Sequence, residues 1–295
     1  MKNKVLTRET FTNILFTALR LAGAAFAGYL LLSLSAHSAF VFLDVASGII
    51  VLFPIIVICG LLKWRYNAPV APLAYALGTP LGLFGVSLGL VTMFSYMADL
   101  LALAPATAIL LLTALYGGVV SGIGYLFIQP DQKPMPKIGI WPAILCTIGL
   151  SLVAWGAVGE EQWLIYGASD KPISMIALVV VLALITPSSN SFLKRLTTAN
   201  MFVILILTVM GVIDLATIGA ETNYADPEAY LHSMSAIYLS INTGLLIYLL
   251  CIVWSIYSGD FDDLDFGRMN WHLVEAFSLI VLITISPPSL YHFLS

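Results

Sequence analysis

Two acidic side chains stand inside apolar runs of this sequence: Asp214 in the run 199–219 and Glu275 in the run 271–290. A carboxylate in hydrocarbon costs roughly 2.5–3.5 kcal/mol on insertion scales if it stays charged and unpaired, so an acid placed there is a functional candidate by default. A group that holds a proton in a dry setting and releases it when water arrives is what a proton carrier requires. Asp214 falls in the outer third of its run and Glu275 about one helical turn into its own. The alternative for Asp214 is a structural acid bonded to hydroxyls or water; for Glu275 it is a residue near enough to the membrane surface to reach water. Thr79, Thr113, Thr208, Ser240, Asn242 and Thr243 add hydroxyls and one amide within such runs. Groups of that kind relay a proton or cation without fixed charge. They equally often bond their own backbone or a neighbouring helix. Gly82, Gly117, Gly211 and Gly244 are read as points of close helix packing.

These residues are carried by a chain with little else to offer a soluble fold. Of its 295 residues, 60% are hydrophobic and 9% charged, whereas a soluble domain carries roughly 25% charged residues. The polar surface needed to coat a water-facing body is missing, so the composition indicates an all-α polytopic membrane protein. At about 20 residues per helical span, the apolar runs fall near 21–42, 46–62, 73–97, 105–128, 139–158, 173–188, 199–219, 233–257 and 271–290. Each is expected as a helix, because hydrocarbon offers no partner to open backbone groups. Residues 1–20 are expected as an amphipathic segment on the cytoplasmic side, without the cleavage site of a signal peptide. No large extramembrane domain fits, and neither a phosphate-cradling glycine loop nor a nucleophile elbow is present, so no enzyme is expected.

Charge sets the orientation. With the N-terminus inside, Lys2, Lys4, Arg8, Arg20, Lys63, Arg65, Lys133, Lys137, Lys194, Arg195 and Arg268 face the cytoplasm, leaving Lys171 alone outside among the twelve basic residues. Asp44, Asp99, Glu160, Glu161, Asp170, Glu221, Asp226 and Glu228 gather opposite. The positive-inside rule therefore gives N-in and C-out. Cys59, Cys146 and Cys251 lie in apolar runs and form no disulfide framework. His37, His232 and His292 belong to outer loops or ends, and His272 lies three residues before Glu275, where it can tune that acid or serve as an interfacial residue. No metal-ligand spacing, cofactor or nucleic-acid partner is indicated.

The first four spans align with the next four. Leu43-Asp-Val-Ala-Ser leads into the second span and Asp170-Lys-Pro-Ile-Ser into the sixth, pairing Ser47 with Ser174 at an offset of 127. The same offset pairs Thr113 with Ser240 and Gly117 with Gly244 on the fourth and eighth spans. On the third and seventh, Thr79-Pro-Leu-Gly82 matches Thr208-Val-Met-Gly211 at 129. Units with an even number of spans make parallel repeats. The expected organisation is 21–130 as one four-helix unit, 131–257 as a second, and 258–295 as an acidic linker with a ninth helix.

The stretch Leu77-Gly-Thr-Pro-Leu-Gly-Leu-Phe, followed by Ala104-Pro-Ala-Thr-Ala-Ile-Leu-Leu-Leu-Thr-Ala-Leu-Tyr-Gly-Gly, resembles the MotA/TolQ/ExbB proton-channel family. In that family a Gly-Thr-x-x-Gly helix precedes an Ala-x-x-Thr-Thr-x-Tyr-Gly-like run. Asp44 and Ser47 are similar to the start of the family's second MotA helix, and each four-span, N-in unit is similar in order to MotA. The resemblance implies a bacterial inner-membrane energiser subunit, assembled as an oligomer or ring, that couples proton or sodium flow to movement of a partner. It also implies that the threonines of the third and fourth spans face a central partner helix. The chain departs from the pattern in three respects. About ten residues, Lys63 to Pro72, replace the long cytoplasmic insertion; two units share one chain; and Ala114 stands where the second threonine is expected. The ninth span is faintly similar to the single helix of the MotB/ExbD partners, with Asp260 to Arg268 as leader and Glu275 as its acid. A separate single-span partner is implied unless this helix takes its place. Two rival expectations stand beside the energiser: a secondary transporter with its site between parallel repeats near Asp214, and an ion-inert scaffold. Membrane lipid is a partner in all three.

Overall fold

The computed structural model describes residues 18–20, 22, 44–95, 100–129, 133–157, 171–186, 191–222 and 227–285. Helices account for nearly all of them: α1 Val45–Tyr66, α2 Val70–Ser95, α3 Leu100–Phe127, α4 Ile140–Ala157, α5 Lys171–Ile185, α6 Phe192–Thr222, α7 Pro227–Ser258 and α8 Phe266–Ile285. A short 3₁₀ turn, Phe261–Asp263, joins α7 to α8. Among the described residues no strand occurs. The second to ninth apolar runs thus appear as α1 to α8, while the first run, 21–42, and nearly all of 1–20 lie outside the described residues. Val45–Tyr66, Val70–Leu90, Leu110–Phe127 and Ile241–Ser258 are long and apolar enough to cross a membrane, and Ile140–Ala154 and Ser174–Ile185 are shorter apolar helices. The described residues are all-helical, and the molecule is a membrane protein.

Local chemistry fixes the ends of α1. Asp44 precedes it with extended backbone, and its carboxylate accepts the Ser47 N–H at 2.7 Å, satisfying a donor that the first turn leaves open. At the other end Asn67 takes a left-handed φ of 50°. Its N–H reaches the carbonyls of Leu62 and Lys63, and its side chain accepts from Lys63 Nζ at 2.8 Å. Lys63 and Arg65 fall in this last turn, where positive charge meets the negative end of the helix dipole.

Helices α1, α2 and α3 pack against one another in all three pairings, and so do α5, α6 and α7. The two triplets are the second to fourth helices of the two expected units. They meet where α2 packs on α7, and α4 fills the space between α7 and α1. Helix α7 is therefore the centre of the molecule: Ile241, Leu245, Tyr248, Leu249, Ile252, Val253 and Ile256 are all buried. Helix α8 lies against α2 and α6, the third helix of each unit.

One end of the bundle collects the turns and the basic residues. Gly259, at φ 87°, lies under the Lys137 side chain; Asp262 accepts the Met135 N–H at 2.9 Å; and Gly139 N–H donates to the Tyr66 hydroxyl at 3.1 Å. The Asp265 carboxylate accepts the Arg268 N–H at the start of α8. Thr197, near the start of α6, lies against Cys251 near the end of α7. Lys63, Arg65, Lys133, Lys137, Lys194, Arg195 and Arg268 therefore share this end, as a single cytoplasmic face requires. Phe261, Leu264 and Phe266 are buried in the α7–α8 connection, and the rings of Phe261 and Phe266 stand 4.7 Å apart. The expected acidic leader is thus a packed corner, because its apolar residues alternate with the aspartates and have a core to enter.

Candidate functional site

The first seam with the predicted residues runs between α2 and α3, and glycines make it. A methyl group built on Gly82 would sit 2.9 Å from the Gly117 Cα, and one on Gly117 would sit 2.6 Å from the Gly82 Cα and from the Gly78 carbonyl. Backbone thus lies on backbone, the arrangement small residues permit between membrane helices. Gly85 faces the Thr113 side chain, Gly89 the Leu110 side chain, and Gly124 the backbone of Ala71 and Tyr75.

Within this seam Thr79 and Thr113 are committed to packing. Ser121 of α3 accepts from the Thr79 N–H at 2.8 Å and from Thr79 Oγ1 at 2.9 Å, and donates to the Tyr75 carbonyl at 3.0 Å. Its hydroxyl therefore bridges the two backbone groups that an uninterrupted helix bonds to each other, one residue before Pro80. Thr113, fully buried, donates to the Leu110 carbonyl of its own helix at 2.9 Å. Ser121 was not anticipated. Its signal in the sequence was its place between Gly117 and Gly124, on the same small-residue face.

The corresponding seam of the second triplet is built differently. A methyl group on Gly244 would meet the side chains of Ile204 on α6 and Met175 on α5, each at 2.5 Å, and the Gly244 carbonyl accepts from Asn200 Nδ2 at 2.8 Å. Gly244 thus lies level with Ile204 of α6. Side chains, which are longer than glycine backbone, fill this contact, and the two helices need no matching glycine. The side chains of Asp214, Thr208 and Ser240, and the surroundings of Gly211, lie outside the described residues. Thr243 is partly buried on α7.

Asn242 stands apart. It is 2% exposed, and neither its Nδ2 nor its Oδ1 has a hydrogen-bond partner. One turn earlier, the Tyr238 carbonyl accepts from Ser87 Oγ of α2 at 3.1 Å, which fixes this face of α7 as the one turned toward α2. Three further buried polar atoms lack partners around α7 and α8: Asn200 Oδ1, Tyr248 Oη and Asn270 Oδ1. Asn270 Nδ2 donates to the Tyr75 carbonyl at 3.1 Å and ties α8 to α2. Ser87, Asn200 and Asn270 were not singled out from sequence. Each is a polar residue in or beside an apolar run, a signal of the same kind that drew attention to Asn242.

Glu275 faces the other way. Its Oε2 lies 3.1 Å from His272 Nδ1, and both side chains are about half exposed, at 54% and 53%. Phe266, Asn270 and Leu273 form the buried face of α8, while Trp271, His272, Val274 and Glu275 form the outer one. The acid therefore does not meet Thr79 or Thr113, whose bonds are made within α2 and α3. Among the described residues, no cluster of His, Cys, Asp and Glu is arranged to hold a metal ion. No protein-family model matches the sequence, and no curated protein or solved structure matches it significantly.

Proposed function

We propose that the chain is an energiser-type subunit of a bacterial inner membrane, which passes protons or sodium ions across the bilayer and couples that flow to movement of a partner. The observation that carries this reading is the seat of α8. It lies across α2 and α6, the third helices of the two units expected from sequence, much as a partner helix would be embraced by two family-like units. The resemblance of α2 and α3 to the MotA/TolQ/ExbB family supports it from the sequence side. Glu275 then acts at an interface. A half-exposed acid on a membrane helix is costly toward lipid, and its pairing with His272 on the outer face suits contact with a second copy or with a single-span partner. Thr79 and Thr113 hold the scaffold instead of relaying ions, because their hydroxyls are engaged. The test is ion flux into liposomes carrying the purified chain, with Glu275→Gln removing the exchangeable charge while keeping shape. The reading requires flux in the wild type and its loss in the variant. Equal flux in both assigns the carrier to another group, and Asp214→Asn is then the discriminating variant.

The alternative of a transporter working as a single chain draws support from Asn242, an unsatisfied polar group buried between the triplets. It predicts that a monomeric preparation is active, whereas the energiser reading requires an oligomer.

A further inference from the structure

The α2–α7 contact, where the two triplets meet, holds a side chain whose hydrogen-bonding capacity is wholly unused. Asn242 is buried to 2% exposure with both amide atoms unpartnered, and Ser87, fully buried on α2, spends only its single proton on the Tyr238 carbonyl. Tyr238 and Asn242 are four residues apart and share a face of α7. A helical side chain leans toward its own N-terminus, so the Asn242 amide leans toward the level of Ser87. A leucine would fill the same position without an unmet polar group, so packing alone gives no reason for an asparagine here.

The donor and acceptor inventory says what fits. The amide offers two N–H donors and one carbonyl acceptor, and the Ser87 oxygen keeps acceptor capacity. A bare cation would satisfy the two oxygens and be repelled by the Nδ2 hydrogens, and an anion would do the reverse. Water satisfies both kinds of group, and buried waters typically make about three such bonds. We infer that the α2–α7 seam binds water at Asn242 and Ser87, and that this water is one step of the proton path. The presence of water stands on the geometry alone; its role in transfer rests on the ion-handling reading above. Asn242 lies about 24 Å from the end of α7, so the hydrated step belongs to the outer half of the bilayer. A relay through water passes protons and does not carry dehydrated sodium, which makes the proton the ion.

Pulsed X-ray hydroxyl-radical labelling marks side chains beside bound water even where bulk solvent is excluded. Tyr238, 1% exposed, supplies a reactive ring on the right face. In the purified full chain Tyr238 is expected to be labelled, and in Asn242→Leu the label is expected to disappear while the melting temperature holds or rises. An unlabelled Tyr238 in the wild type overturns the water site, and so does undiminished labelling in Asn242→Leu. Flux then tests the path: proton flux is lost in Asn242→Leu and kept in Asn242→Ser, which leaves room for water. Wild-type flux in Asn242→Leu, or a wild-type flux that requires sodium, overturns the proton path. A wild type that conducts no ion refutes the path together with the ion-handling reading, and leaves the labelling result to decide the water site by itself.

Discussion

Gly117 and Gly118 are neighbours on α3 with opposite environments: one is pressed to the α2 backbone, the other has nothing within 4 Å of where a methyl group would stand. Gly117→Ala drives a carbon into the Gly82 backbone and should destabilise by about 1–3 kcal/mol as overpacking. Gly118→Ala should be neutral or stabilising by up to about 1 kcal/mol through helix propensity. Melting of the two variants in one detergent checks the contrast. Asp44 makes a prediction about pH. The Ser47 hydroxyl and N–H hold its carboxyl below the ordinary value of 3.8, which favours the charged form in the folded state. Its contribution to stability is therefore present above pH 3.8 and lost as pH falls through the lower folded value. Asp44→Asn keeps a cap and should flatten this acid limb, while Asp44→Ala should cost about 1 kcal/mol at neutral pH; thermal melts from pH 3 to 7 separate the two. At this scale the sequence was legible where chemistry is local. Gly82 and Gly117 announce a close contact by size, but whether a glycine faces a helix or lipid depends on which side the neighbour takes, so Gly118 looks the same as Gly117 on paper. Ser121 and Ser87 carried a signal by position but not by role: a hydroxyl is read as ordinary until the backbone it bonds is known.

Helix α8 shows how an element can be placed correctly and understood differently. Its position in the chain, its direction and its acid suggested a stand-in for a partner helix; in the structure it packs on α2 and α6. The face it turns inward is Phe266, Asn270 and Leu273, with Glu275 outward beside His272. A 3.6-residue period tells which residues share a face, yet it does not tell which face is covered, since each face mixes apolar and polar residues. The same limit explains the register of α6 against α7. Gly244 reads from sequence as a close-packing point, but its size does not say that Ile204 and Met175 are what it meets. The link from α8 to α2 is testable through Asn270, whose Nδ2 binds the Tyr75 carbonyl. Asn270→Ala should remove about 1–2 kcal/mol and raise protease cutting in the 259–265 corner. Cutting that is unchanged would show that Phe261, Leu264 and Phe266 hold α8 by themselves.

For the whole molecule the strongest regularity is the shared end of seven basic residues, which the threading of α1 to α8 produces and the charge pattern of the sequence anticipated. It predicts that single-cysteine probes at 133 and 194 resist a membrane-impermeant reagent in intact cells, while probes at positions between α4 and α5 and between α6 and α7 react. The opposite result would invert the orientation and place Glu275 toward the wrong side for an energiser. The composition made the membrane class plain, because a charged fraction of 9% leaves no other solvent for so much apolar surface. The sequence suggested two four-helix units, but the meeting of their triplets through α2 and α7 was not legible, since pairings between distant helices leave no mark on either one. Whether the chain itself moves ions is decided by measuring proton and sodium flux in liposomes containing only this protein under an imposed potential. An ion-moving chain gives a saturable proton flux that Glu275→Gln abolishes with assembly intact. A wild-type protein that assembles and leaves the liposomes as tight as empty ones would contradict the energiser reading.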